Sequence, residues 1–209
     1  MGMTGWLPIA IALAALSVSF FSLWTTHLRW GRVCMTPPTL VYIGRDGAEK
    51  RHKIYLRTLL FSTSVRGNVI ESMHIAVQQQ PLGTELSSVF DYWAYGETGK
   101  LSVGGGLYVG QSGVALNHHF VLSRRVPQDF VWWNAPCRIQ VFARVRGCRA
   151  PQLLHEVKFE IGAEHAALLA QVLDAGVFFE WGSDATDYFA YAEKRSARIE
   201  EVGKHADPS

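Results

Sequence analysis

All 20 basic and all 18 acidic side chains of this chain lie at or beyond Arg29, so the first 28 residues carry no charged side chain at all. Within that stretch, Trp6 to Trp24 offers only Ser17, Ser19 and Ser22 as polar side chains. At ~1.5 Å rise per residue this run spans roughly 27 Å, close to the ~30 Å hydrocarbon core of a bilayer. Trp6 at one end and Trp24 with Trp30 at the other stand where indole rings anchor at the headgroup boundary. Pro8 falls in the first turn, where a missing N–H costs little. The pattern predicts a transmembrane helix within residues 1–28 that meets lipid through residues 6–24. A cleaved signal peptide would carry a basic start and a small-x-small site. Neither is present, since Thr25, Thr26, His27, Leu28 and Arg29 follow Trp24. A retained signal-anchor is expected.

Flanking charge sets the expected orientation. Arg29, Arg32 and Arg45 follow the helix before the first acid, Asp46, whereas the amino side offers only its terminal amine. The positive-inside rule then places a single-pass protein in the cell (inner or plasma) membrane with its C-terminal domain in the cytoplasm. Cys34, Cys137 and Cys148 suit a reducing compartment, where unpaired thiols persist. Three cysteines are also too few, and odd in number, for a disulfide scaffold. A formal net charge of +2 supplies little surplus for neutralising phosphates, so nucleic acid is not an expected partner.

Beyond a juxtamembrane connector (29–38) containing Pro37 and Pro38, the chain reads as short strands broken by turn residues. Thr39 to Gly44 precedes the hairpin-forming pair Asp46-Gly47. Lys53 to Thr63 is nearly continuous in apolar residues, as a central strand covered on both faces would be. After the Arg66-Gly67-Asn68 turn, Met73, Ile75 and Val77 alternate with polar or small residues. Further strands are expected at Val89 to Tyr95, Gly106 to Gly110, Val114 to Leu122, Phe130 to Trp133, Cys137 to Arg146 and Gln152 to Ile161. In the last of these, Leu153, His155, Val157, Phe159 and Ile161 share one face. Ala163 to Asp174 has helical spacing, with Gly176 placed as its C-cap, and Val177 to Trp181 resumes a strand. The expected architecture is mainly β: an N-terminal transmembrane helix, then an antiparallel sandwich of immunoglobulin-like or C2-like type over 39–191 with one late amphipathic helix. Residues 192–209 read as a charged C-terminal helix or tail.

No catalytic signature emerges. His118 and His119 are adjacent, so a strand would send them to opposite faces, one buried and hydrogen-bonded, the other at the surface. They could hardly share a metal, and no Cys-x-x-Cys or His-Glu-x-x-His pattern completes a site. Gly104, Gly105, Gly106 and Gly110 would need a glycine at Val109 for a dinucleotide loop, and read instead as turns. No cofactor or metal is expected. Aromatic residues crowd the stretch from Val89 to Trp133, and the neighbours Tyr92-Trp93 and Trp132-Trp133 must point to opposite sides. Trp93, Trp132 and Trp133, with His118 and His119, therefore form the candidate interaction surface. The expected function is a membrane-tethered binding or scaffold module with a protein partner at the membrane, and not a catalyst. The alternatives are an anchored enzyme built around His118 or His119, and an extracytoplasmic ligand-binding domain.

Overall fold

A computed structural model describes residues 6–25, 31–45, 51–97, 100–125, 130–182 and 187–194. The first of these segments is helix α1, Trp6–Leu23, whose mean hydropathy is 2.0 and whose residues are all exposed. Apolar side chains cover it all round, so no face is polar enough to mark a preference for water. It is long and apolar enough to cross a membrane, a property shared by membrane anchors and signal sequences. Arg29 and Trp30, expected at its far boundary, lie outside the described residues.

The strands are β1 (Val33–Met35), β2 (Leu40–Arg45), β3 (His52–Ser62), β4 (Asn68–Gln79), β5 (Leu86–Phe90), β6 (Tyr92–Glu97), β7 (Lys100–Val103), β8 (Leu107–Val109), β9 (Val114–Val121), β10 (Ala135–Val145), β11 (Gln152–Ile161), β12 (Ala175–Trp181) and β13 (Tyr188–Lys194); helix α2 covers Ala163–Gln171. They form two antiparallel sheets. The larger runs β13-β12-β2-β3-β9-β6-β7, with β1 also on β3; the smaller runs β11-β10-β4-β5, with β8 also on β4. One apolar core joins them: Val41, Ile43, Ile54 and Leu56 from the larger sheet meet Ile75, Val77, Ile139 and Val141 from the smaller. Each such side chain, fully buried, contributes about 1.5–3 kcal/mol.

Several boundaries depart from expectation, each for a local reason. The connector holds β1, which pairs with the end of β3, while β2 pairs with the start of the same strand. Pro37 and Pro38, which have no N–H to give, divide one strand path into two. Thr36 and Thr39 on either side still donate to Leu59 and Arg57 carbonyls, both at 3.0 Å. β3 is central, but its burial alternates, with Tyr55, Leu59 and Phe61 only half covered. The run from Val89 to Tyr95 is two strands: β5 belongs to the smaller sheet and β6 to the larger. The chain changes sheet at Asp91, whose carboxylate accepts the Ser123 hydroxyl at 2.7 Å.

Two extra residues reverse side-chain parity. Arg144 pairs with Ser72 and Val145 with Ile70, leaving Glu71 as a bulge. Val141 pairs with His155 and Phe142 with Leu153, leaving Leu154 extra. Leu154 therefore packs on the core and Leu153 is exposed, the reverse of strict alternation. Helix α2 ends at Gln171, and Gly176, expected as its cap, lies inside β12. Residues 192–194 extend β13; 195–209 and the Asp46-Gly47 turn lie outside the described residues.

Candidate functional site

His118 and His119 do point to opposite faces of the larger sheet, yet both are buried, at 0 % and 6 % exposure. The expectation of a surface imidazole is thereby corrected. His118 faces the core, where its Nδ1 accepts the indole N–H of Trp93 at 3.2 Å. That bond leaves the proton on Nε2, which has no partner among the described residues. Burial, with the adjacent His119, pushes its pKa down to about 4, so the ring is neutral near pH 7. On the outer side, the Tyr55 ring meets His119 edge-on with centroids 4.9 Å apart. Cross-strand neighbours Tyr55 and Ala94 flank it on both sides, which is why it is covered.

The tryptophans divide in a way the sequence could not specify. Trp93 is 4 % exposed and its neighbour Tyr92 takes the outward position. Trp132 is 2 % exposed, packed with Phe90, Phe130 and His52, whereas Trp133 is 43 % exposed. Of the five residues expected to form an interaction surface, only Trp133 is accessible. Residues 130–133 are not a strand. Their backbone is held by the buried Gln79 side chain, whose Nε2 donates to the Val131 carbonyl at 3.1 Å and whose Oε1 accepts the Trp133 N–H at 2.9 Å. Gln79 shares the inward parity of Met73, Ile75 and Val77, and a glutamine at such a position was the available signal for a buried polar clamp. His52 lies edge-on to Phe130, and burial, with Arg45 nearby, pushes its pKa down to about 4 against an opposing backbone hydrogen bond to Phe130.

A half-buried aromatic row lies elsewhere, on the outer face of the larger sheet. Register places Tyr191, Phe178, Tyr42, Tyr55 and His119 side by side in one row across five strands. Tyr191 stacks on Phe178 at 5.2 Å, and Tyr42 meets Phe178 at 4.8 Å. Next along β13, Phe189 is 66 % exposed. The row needs two glycines. A Cβ at Gly176 would run into the Tyr42 ring, and one at Gly44 into its hydroxyl, so the tyrosine reclines along the sheet over both. The row joins strands far apart in sequence, and no local pattern announces it.

The outer face of the smaller sheet is mixed, with Phe142 stacked on His74 and Leu153 exposed beside a group of charged side chains. Glu156 accepts from Gln140 at 2.9 Å and pairs with Lys158 at 3.1 Å, contacts that hold its pKa below the usual carboxylate range. A pocket of about 470 Å³ beside it mixes Glu85 and Glu160 with Arg138 and Lys158. Among the described residues, no group of three His, Cys, Asp or Glu side chains is placed to hold a metal ion. Cys137 is buried, which pushes its thiol up to about 12, whereas Cys148 is exposed. No protein-family model matches the chain, and no curated protein is significantly similar to it.

Proposed function

We propose that the chain is a single-pass membrane protein whose β domain is a tethered binding module on the cytoplasmic side. The observation that carries this reading is the contrast between its two parts: α1 is apolar and exposed throughout, while the β domain closes its core without it. Exposure of so much apolar surface to water is unfavourable by ~25 cal/mol per Å², and a bilayer removes that penalty. Orientation rests on Arg29 and Arg32 after the helix. The two sheets are read as a sandwich of the broad immunoglobulin-like or C2-like kind because their facing sides share a core.

In this reading the outer aromatic face of the larger sheet replaces Trp93 and Trp132 as the working surface, with a protein held at the same bilayer as its partner. Rigid aromatic rings lose little entropy on binding and dominate interface energetics once desolvated. A tether raises the effective concentration of such a module near its partner without a new contact. His118 and His119, both buried, fit packing roles better than proton transfer to a substrate.

Two measurements test the proposal. Cys148 is an exposed native thiol, so a membrane-impermeant maleimide should leave it unlabelled until the membrane is permeabilised; labelling of sealed cells would reverse the orientation. Cross-linking in the native membrane should recover a partner that Phe189→Ser loses and Trp133→Ser retains. An unchanged partner set from a folded Phe189→Ser protein would remove this face as the interface.

A further inference from the structure

The end of the β domain nearest α1 differs in charge from the opposite end. Only residues 26–30 separate Thr25, the last described residue after α1, from Gly31. At ~3.3–3.6 Å per residue, that stretch reaches at most roughly 20 Å. Arg32 is then fixed to the domain, its N–H donating to the Thr63 hydroxyl at 2.8 Å and its carbonyl accepting the Thr63 N–H at 3.0 Å. Thr63 leads into the β3–β4 turn. That turn touches β8 through the Tyr108 hydroxyl, which donates to the Arg66 carbonyl. Alongside, the Arg146 N–H donates to the Val69 carbonyl and starts the β10–β11 turn. These segments therefore form one end of the domain, held close to any membrane that α1 crosses.

That end is strongly basic. Arg32, Arg66, Arg144, Arg146 and Arg149 are all exposed there, and the only acid in the same segments is Glu71. None of the five arginines forms an ion pair with an acid among the described residues. Val65 and Tyr108 stand exposed between them, an aliphatic and an amphipathic side chain suited to the headgroup boundary. At the opposite end, among the described residues, Arg45, Arg51, Arg124 and Arg125 are interspersed with Glu85, Asp91 and Glu164.

We infer that this arginine platform seats the domain on anionic lipid headgroups, so that α1 supplies attachment and the platform supplies orientation. The occupant follows from charge complementarity and the short tether: guanidinium groups pair bidentately with phosphate and carboxylate, and an anionic leaflet lies within reach. Seated in this way, the domain holds its aromatic row at a fixed angle to the bilayer. The inference rests on the reading of α1 as an anchor, and its test separates the two.

The full chain carrying Cys34→Ser is labelled at Cys148, in the β10–β11 turn, with a small fluorophore and reconstituted into vesicles. The vesicles are phosphatidylcholine alone or with phosphatidylserine, each doped with a headgroup spin-labelled quencher. Flotation with neutral vesicles after an alkaline wash reads the anchor, and quenching reads the platform. Expected are flotation in both compositions, and quenching that is stronger with phosphatidylserine and falls as salt is raised. Arg146→Gln and Arg149→Gln should each weaken the seated state roughly fivefold. Salt dependence of the unsubstituted platform needs no arginine variant and guards against a folding defect. Flotation with equal quenching in the two compositions would overturn the platform and leave the anchor standing. Failure to float would overturn the anchor and the platform with it.

Discussion

Trp93 donates its indole N–H to Nδ1 of His118 across adjacent strands, at 3.2 Å, inside the core of the domain. Two polar atoms are thereby satisfied where neither reaches water. Trp93→Phe would keep most of the ring and remove the donor, leaving the imidazole acceptor unpaired, at a cost of about 1–3 kcal/mol. The double variant with His118→Phe should be less destabilised than the sum of the two single changes, because the orphaned acceptor disappears with its donor. Urea denaturation of the four proteins measures this coupling, and strict additivity would mean that the bond contributes nothing.

The same burial predicts a pH dependence. His118 and His52 both have folded-state pKa values near 4, below the ordinary value of 6.5. Between these values the unfolded chain binds more protons, so stability must fall as pH drops from 6.5 towards 4 and level off below. Each ring can contribute up to roughly 3 kcal/mol over that window. Unfolding midpoints at pH 7 and 4.5 should differ clearly in the native chain and less so in His118→Phe; equal midpoints in the native chain would place both imidazoles in water.

Gly176 tests the aromatic row. Alanine there puts a methyl group into the Tyr42 ring, which must swing away from Gly44 and Phe178. We expect Gly176→Ala to cost about 1–3 kcal/mol, as overpacking does. Adding Tyr42→Ala should make the alanine at 176 nearly neutral. Thermal melts of the two single variants and the double variant decide it, and an unaffected Gly176→Ala protein would mean that the ring does not lie there.

Gln79→Met should detach the segment that carries Trp132 and Trp133. Both amide hydrogen bonds vanish, and the Val131 carbonyl and Trp133 N–H lose their partners, at roughly 1–3 kcal/mol together. Tryptophan emission should shift to the red as Trp132 meets water. Emission unchanged in a stable variant would show that packing alone holds the segment.

Regular alternation was the part of this fold that could be read in advance. Ile139, Val141, Ala143 and Val145 face inward in β10 as their spacing requires; α1 falls on the unbroken apolar run, and α2 begins where helical spacing puts it but ends at Gln171. What escaped depends on contacts made across the fold. Glu71 and Leu154 each add one residue to a strand, and a single insertion reverses every later side chain. β1 was hidden by the prolines after it, and the change of sheet at Asp91 by the strand-forming residues on both sides of that single aspartate. The candidate surface was less legible than the fold. Pair logic required one outward aromatic at Tyr92-Trp93 and one at Trp132-Trp133, but only packing decides which. The row through Tyr42, Tyr55, Phe178 and Tyr191 exists only once β2, β3, β12 and β13 are in register.

A tethered module requires that α1 remain part of the protein. The most direct measurement is the intact mass of the chain recovered from alkaline-washed membranes of its own host, alongside the soluble fraction. A retained anchor predicts that the chain in the membrane pellet still carries Trp6 to Trp24. A shorter chain that begins beyond Trp24 and is found in the soluble fraction would contradict it.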